Sequence, residues 1–272
     1  MFEIRPTGGL CDRLVTIESF IAVTKQLNIS DIKMIWLLNN ELNCNFEEIL
    51  QPISGIVVQN KLDISYKSDV LSRIKRKTIS LFNNKILNKK HIDLYSLSVS
   101  DKYQYVISLL KSNKSRYSFS GLLLSEKTND YFDCFFPTAE ITSTINSYLK
   151  HFSDSTIGVH IRRTDNVYAI KNSPSELFYK NIEKEIKEND DVKFYVATDS
   201  ERELKELIKR YGEKIIYQTE CVRSRVTSDG IKSAMIDLFL LSKTQKILGS
   251  DWSAFSATAA KLGRIELIKM LK

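Results

Sequence analysis

The segment Gly158-Val159-His160-Ile161-Arg162-Arg163-Thr164-Asp165 places an imidazole and two guanidinium groups at the end of an apolar, β-branched run. On a strand of period two, Val159 and Ile161 face one side while His160 and Arg162 face the other. A guanidinium is costly to desolvate unless it meets an anion. Its planar fork binds phosphate oxygens bidentately, so the segment predicts recognition of a phosphate or diphosphate, with Asp165 orienting one guanidinium before the ligand arrives. A structural Arg–Asp pair at a domain joint is the alternative. The second signal is Asp237, one carboxylate within the apolar Ala234–Leu241. Asp is rarely buried without a partner, so it lies either on the polar face of a helix or in a crevice where it accepts hydrogen bonds from a ligand.

A third signal runs from Gly249 to Ala260, where a strand gives way to a small-residue helix. Its first-turn amides, with the hydroxyls of Ser253 and Ser256, form an anion site aided by the helix dipole. An ordinary N-cap and close helix–sheet packing account for the same residues. The fourth is Gly8-Gly9-Leu10-Cys11-Asp12-Arg13-Leu14, where glycine lets the backbone approach a ligand. It lacks GxGxxG and the Walker lysine, so neither nicotinamide nor P-loop chemistry is supported. No DxD occurs, which favours a diphosphate neutralised by Arg and helix amides over one clamped by a metal.

The elements that must position these groups alternate β-branched runs with amphipathic helices, the pattern of parallel sheets covered on both faces. Phe2–Arg5 reads as a strand, about Arg13 to Leu27 as a helix and Ile32–Leu38 as a strand. Ile56–Val58 and Tyr105–Leu110 read as extended, Asp69–Leu87 and Thr138–Phe152 as helical. Ser153-Asp154-Ser155 then divides the chain into lobes at 1–152 and 153–272. In the second lobe Thr156–Arg162, Lys193–Thr198, Lys214–Tyr217, Gln245–Gly249 and Arg264–Ile268 are the expected strands. Helices start at a capping box in Ser173-Pro174-Ser175-Glu176 and at Ser200 with Glu203, the latter ending at Gly212. Two more cover Lys232–Ser242 and Ser253–Leu262, the last stopped by Gly263. This is a doubly wound α/β lobe, and such lobes bind ligands beyond the carboxyl ends of their strands. His160–Asp165, Thr198-Asp199-Ser200 and Ser250–Ser256 all fall there.

Composition narrows the remaining classes. With 272 residues, 43% hydrophobic and 27% charged, the chain can bury a sizeable core and is neither disordered nor collagen-like. Apolar runs such as Met34–Leu38 are far below the roughly 20 residues of a membrane-spanning helix, and no signal sequence is evident, so a soluble, cytoplasmic protein is expected. The four cysteines and three histidines lack metal-ligand spacing. A formal charge of +7 is spread along the chain except between Lys67 and Lys90, where eight basic residues face only Asp69. That stretch is either a solvated helix face or a surface drawn to anionic lipid or a polyanionic partner. No reader motif accompanies it, so nucleic acid is not an expected partner.

Taken in order, these pieces resemble the bacterial nodulation fucosyltransferases and the α1,6-fucosyltransferases. Val159-His160-Ile161-Arg162-Arg163-Thr164-Asp165 looks like their HxRRxD motif. The likeness continues through Phe194–Asp199, Asp237–Ser242 and Ser253–Ala259, and in the first half is limited to the glycine turn and Asp12-Arg13-Leu14. The resemblance implies a GT-B fold, two Rossmann-like doubly wound lobes facing a cleft, and a metal-independent inverting glycosyltransferase without a cofactor. It implies a GDP-sugar donor, GDP-L-fucose first, in the C-terminal lobe, and a glycan acceptor held mainly by the N-terminal lobe. Arg162 would contact the β-phosphate as the catalytic group, His160 and Asp237 would face the nucleotide, and Asp199 would line the crevice edge. Ser253 would contact the phosphates, with Ser256, Gly8 and Gly9 also on the donor side and Asp12 and Arg13 towards the acceptor. Arg163 and Asp165 would support this arrangement.

The chain departs from the animal enzymes, which carry a Glu shortly after the motif; here Asn166-Val167-Tyr168-Ala169-Ile170-Lys171 follows. Glu176 is taken by the expected capping box, and Asp12 is the other candidate base. Surface-polysaccharide or oligosaccharide synthesis on a lipid-linked acceptor fits a short enzyme with a basic 67–90 stretch touching the inner face of a membrane. A transferase using another nucleotide sugar, and a non-catalytic nucleotide- or glycan-binding protein, are the competing readings.

Overall fold

The computed structural model describes residues 2–30, 32–63, 89–98, 101–111, 116–121 and 131–272. They group into two compact units: Met1–Phe136 with Ser224–Ile231, and Pro137–Arg223 with Lys232–Lys272. The expected helix over 69–87 lies outside the described residues, as does the basic stretch apart from Lys89 and Lys90, which open a strand.

The first unit holds a five-stranded, wholly parallel sheet in the order β3-β2-β1-β5-β4. Its strands are β1 (Phe2–Arg5), β2 (Ile32–Leu38), β3 (Ile56–Leu62), β4 (Lys89–Asp93) and β5 (Arg116–Ser120). Helix α1 (Leu10–Leu27) follows the glycine turn and buries Leu14, Ile17, Phe20 and Ile21. Residues Lys102–Lys111 form helix α2, where the sequence suggested an extended run. Its buried Tyr103, Val106 and Ile107 are spaced three and four apart, which is one face of a helix rather than of a strand.

The second unit holds another parallel sheet, in the order β10-β9-β6-β7-β8. Its strands are β6 (Ile157–Ile161), β7 (Phe194–Thr198), β8 (Ile215–Ile216), β9 (Lys246–Ser250) and β10 (Glu266–Met270). The helices are α3 (Ala139–Leu149), α4 (Val167–Asn172), α5 (Ser175–Glu188), α6 (Glu201–Tyr211), α7 (Ser228–Leu241), whose first residues group with the first unit, and α8 (Ala254–Gly263). Helix α3 therefore belongs with the second unit, ahead of the joint expected at 153–155. On one sheet face Val159, Ile161, Phe194 and Val196 pack with Phe178, Ile182, Leu204 and Leu207 from α5 and α6. The chain leaves β6 towards β7 on one side and later returns through β9 on the other. The ends of β6 and β9 thus flank a topological switch point, where open α/β sheets bind ligands.

Two local expectations are corrected. Ser173 does not cap α5: Pro174 is the N-cap residue, without a side-chain cap bond, and the Ser173 hydroxyl instead accepts from the Asp251 amide at 2.8 Å. Gly263 is the last residue of α8 rather than the stop beyond it, and Arg264 takes the C-cap position with a positive φ of 53°. Glycine is required at 263 for a different reason. A β-carbon there would lie 2.1 Å from the Ser242 carbonyl oxygen.

Candidate functional site

At the end of β6, Arg162 is held from three directions. Its amide donates to Ser250 Oγ at 3.0 Å, tying it to the end of β9. Its Nη1 lies 2.6 Å from Asp199 Oδ2 and its Nη2 pairs with Asp165. Asp199, just past β7, also accepts from the Arg163 amide at 2.8 Å and from the Thr164 amide and hydroxyl at 3.2 and 2.7 Å. Burial pushes the Asp199 carboxyl up, but the Thr164 hydrogen bonds and the Arg162 charge outweigh it and hold the group below its ordinary value. One ionised carboxylate thereby shapes the Arg162–Thr164 turn and aims its guanidinium. The Asp165 partner is exposed, so an incoming anion can replace it without uncovering a buried charge.

Arg163 turns the other way. Its Nε, Nη1 and Nη2 donate to Glu203 Oε1, the Arg162 carbonyl and Ser175 Oγ at 3.1, 2.9 and 3.1 Å, with the Phe178 ring 5.7 Å beneath. It ties the turn to α5 and α6. His160, buried on the opposite sheet face, stacks on Phe255 of α8 at 5.0 Å. Its Nδ1 has no hydrogen-bond partner. Burial, against the opposing pull of Asp199, lowers the imidazole to about 4, so it is neutral near pH 7.

The turn from β9 into α8 carries the third predicted group. Ser253 is the N-cap residue of α8, yet its hydroxyl makes no cap hydrogen bond. The first-turn amides are left for another acceptor. Ser256 is buried: its hydroxyl donates to the Ser253 carbonyl at 3.5 Å, and a β-carbon on Gly249 would come within 2.8 Å of its Cβ. Its role is close packing of α8 on β9, which corrects the expectation of a ligand contact. Between the two serines' strand and helix, Trp252 adopts a φ of 54° and leaves its ring exposed, stacked on Tyr168 of α4 at 5.0 Å. Positive φ in so bulky a residue costs of order 1–3 kcal/mol and persists only where surrounding bonds hold it.

Asp237, on α7, is buried and not on a polar face. Tyr195 donates its hydroxyl to Oδ1 at 2.5 Å and Gln218 Nε2 donates to the same oxygen. Burial nevertheless raises the carboxyl to about 6. Tyr195 and Gln218 were not foreseen, nor was Arg223, which donates to the Thr198 carbonyl at 3.0 Å and pairs with Glu201 beside the same strand end.

In the first unit, Gly8 has a φ of 89° and Gly9 precedes α1, its amide donating to Asp12 Oδ2 at 3.2 Å. Burial raises the Asp12 carboxyl, with the Gly9 amide opposing. Arg13 is fully buried, which corrects its placement as an acceptor contact. Its guanidinium donates to the carbonyls of Gly8 and Leu37 at 2.9 and 2.6 Å and to Asn39 Oδ1 at 3.2 Å, and lies 4.8 Å from the Trp36 ring.

Among the described residues no cluster of three or more His, Cys, Asp or Glu could hold a metal ion, and no helix is long and apolar enough to cross a membrane. By sequence, the chain matches no family model and no curated protein. By fold it is similar to solved structures. NodZ alpha-1,6-fucosyltransferase soaked with GDP-fucose matches with a TM-score of 0.60 and 19% identity over 96% of this chain and 92% of that one. POFUT1 in complex with GDP matches at 0.58 and 12% over 99% and 97%. A mutant of Arabidopsis thaliana FUT1 in complex with GDP matches at 0.59 and 12% over 98% and 69%. The chain has the fold of these fucosyltransferases.

Proposed function

We propose that this protein is a fucosyltransferase that moves L-fucose from GDP-fucose to a hydroxyl of a glycan acceptor. The observation that carries the reading is the Arg162 guanidinium, held by Asp199 at a switch point beside the uncapped amides of α8. Negative charge grows on the departing GDP in the transition state, and a preorganised cation is worth most at that moment. Arg162 stabilises the leaving diphosphate, with the α8 amides and Ser253 beside it. Neutral His160 and buried Asp237 serve the nucleotide, and Asp199 and Asp165 hold Arg162 in place.

The reaction is a single displacement with inversion, a GT-B arrangement of donor and acceptor lobes, and no metal. The acceptor hydroxyl must pass its proton to a base. Asp12, with its raised carboxyl, is the first unit's candidate for that step, and Gly8 and Gly9 let a ligand approach its backbone. The acceptor belongs to a surface polysaccharide or oligosaccharide, lipid-linked in the version where the basic 67–90 stretch meets an anionic membrane. Flotation with anionic vesicles at low salt tests that last part, and absence of binding removes it.

The central test is a thermal shift with GDP followed by release of GDP from nucleotide sugars. GDP should raise the melting temperature. Release of GDP from GDP-fucose, with none from GDP-mannose and no release of UDP from UDP-sugars, supports the reading. Release from another sugar nucleotide redirects the donor, and no stabilisation by GDP refutes the proposal.

A further inference from the structure

The loops that carry Arg162 and Ser253 also carry an aromatic surface to which no role has been given. Tyr168 and Trp252 stack at 5.0 Å with an interplanar angle of 27°, yet they remain 61% and 64% exposed. Val167 and Ile170 beside them are exposed as well. Two stacked rings that a monomer could turn inward are instead held in water, and the holding is specific. Asn166 Nδ2 donates to the Trp252 carbonyl at 2.8 Å, while Asn166 Oδ1 caps α4 by accepting from the Ala169 amide at 3.0 Å. On the other side Asn172 Nδ2 donates to Asp251 Oδ2 at 3.0 Å, and the Asp251 amide donates to Ser173. These bonds pin the Trp252 turn, with its positive φ, to both ends of α4.

We propose that the Tyr168–Trp252 pair is a subsite for a pyranose ring of the acceptor glycan, an inference that rests on the transferase reading. A pyranose presents a face of C–H bonds ringed by hydroxyls. A rigid aromatic surface removes that face from water at little cost in side-chain freedom and leaves the hydroxyls hydrated. The donor, with its diphosphate and base, has charge and hydrogen bonds by which to be held. A neutral saccharide depends on such a surface. Tyr168, in the first turn of α4, follows Arg162 by six residues and Trp252 directly precedes Ser253, so the pair borders the proposed donor groups along the chain.

The chain has two tryptophans, and Trp36 is fully buried in the first unit, so saccharide-dependent quenching of exposed tryptophan reports Trp252. The probes are tetrasaccharides of glucose, mannose, galactose and N-acetylglucosamine, with affinities measured by calorimetry. At least one should quench the wild type. Trp252→Gly, which suits the positive φ, and Tyr168→Ala should each weaken its binding about threefold to tenfold, while Trp252→Phe keeps it. GDP stabilisation without binding of any tetrasaccharide overturns this subsite and leaves the transferase reading standing. Saccharide binding without GDP stabilisation does the reverse. A wild-type dimer that Trp252→Gly renders monomeric also overturns the subsite, because the rings would then be a self-association contact.

Discussion

Arg162 Nη1 and Asp199 Oδ2 meet at 2.6 Å across the paired ends of β6 and β7. Because the same carboxylate accepts from the Arg163 and Thr164 amides, the turn and the guanidinium are set by one group. Arg162→Ala should lower turnover by on the order of 100-fold or more, the usual cost of removing a preorganised transition-state donor. Arg162→Lys keeps the charge but loses the fork, and should recover little. Asp199→Asn should cost less than Arg162→Ala, since the turn can still form. Steady-state rates of GDP release check the order.

The neighbouring arginine predicts a different phenotype. Arg163 is bonded to Glu203, Ser175 and the Arg162 carbonyl, so Arg163→Ala leaves a partly buried Glu203 without that cation. It should lower the melting temperature of the ligand-free protein by several degrees, whereas Arg162→Ala should cost less, because Asp199 keeps its bonds from the Arg163 amide and from the Thr164 amide and hydroxyl. Thermal melts without nucleotide separate the two.

Two buried groups should tilt the pH dependence in opposite directions. Asp237 is raised from 3.8 to about 6, so it favours the folded state below pH 4 and loses that contribution as pH climbs to 6. His160 is lowered from 6.5 to about 4, so its contribution is present above pH 6.5 and lost as pH falls towards 4. In the wild type the two slopes largely cancel. Relative to wild type, Asp237→Asn should gain melting temperature between pH 4 and 6, and His160→Gln should fall further behind over the same range. Difference curves of melting temperature against pH test both signs.

Gly263→Ala should destabilise the protein even though alanine is the better helix former. The added carbon would meet the Ser242 carbonyl oxygen at 2.1 Å, which backbone must move to avoid. A loss of about 1–3 kcal/mol is expected in denaturant titration.

What the sequence revealed of this molecule follows from what is local. The alternation around β6, the Ser200 cap of α6 and the end of that helix at Gly212 depend on a few neighbouring residues, and they agree with the structure. The Arg162–Asp165 pair is equally local. Asp237 could not be placed, because its partners Tyr195 and Gln218 come from β7 and the segment after β8. For the same reason Arg13 read as a ligand contact, when its partners Leu37 and Asn39 arrive with β2 and the turn after it. Tyr105–Leu110 read as extended because its Tyr, Val and Ile suit strands. Burial at Tyr103, Val106 and Ile107 selects the helix instead.

Helix α8 is packed closely at both ends: the Ser256 side chain fits against Gly249 near its start, and Gly263 lies against the Ser242 carbonyl at its end. Such contacts leave no slack for rocking or sliding. On the proposed function, the amides at its N-terminus stand in position before the diphosphate arrives, and recognition there is a matter of docking onto a finished mould rather than of shaping one.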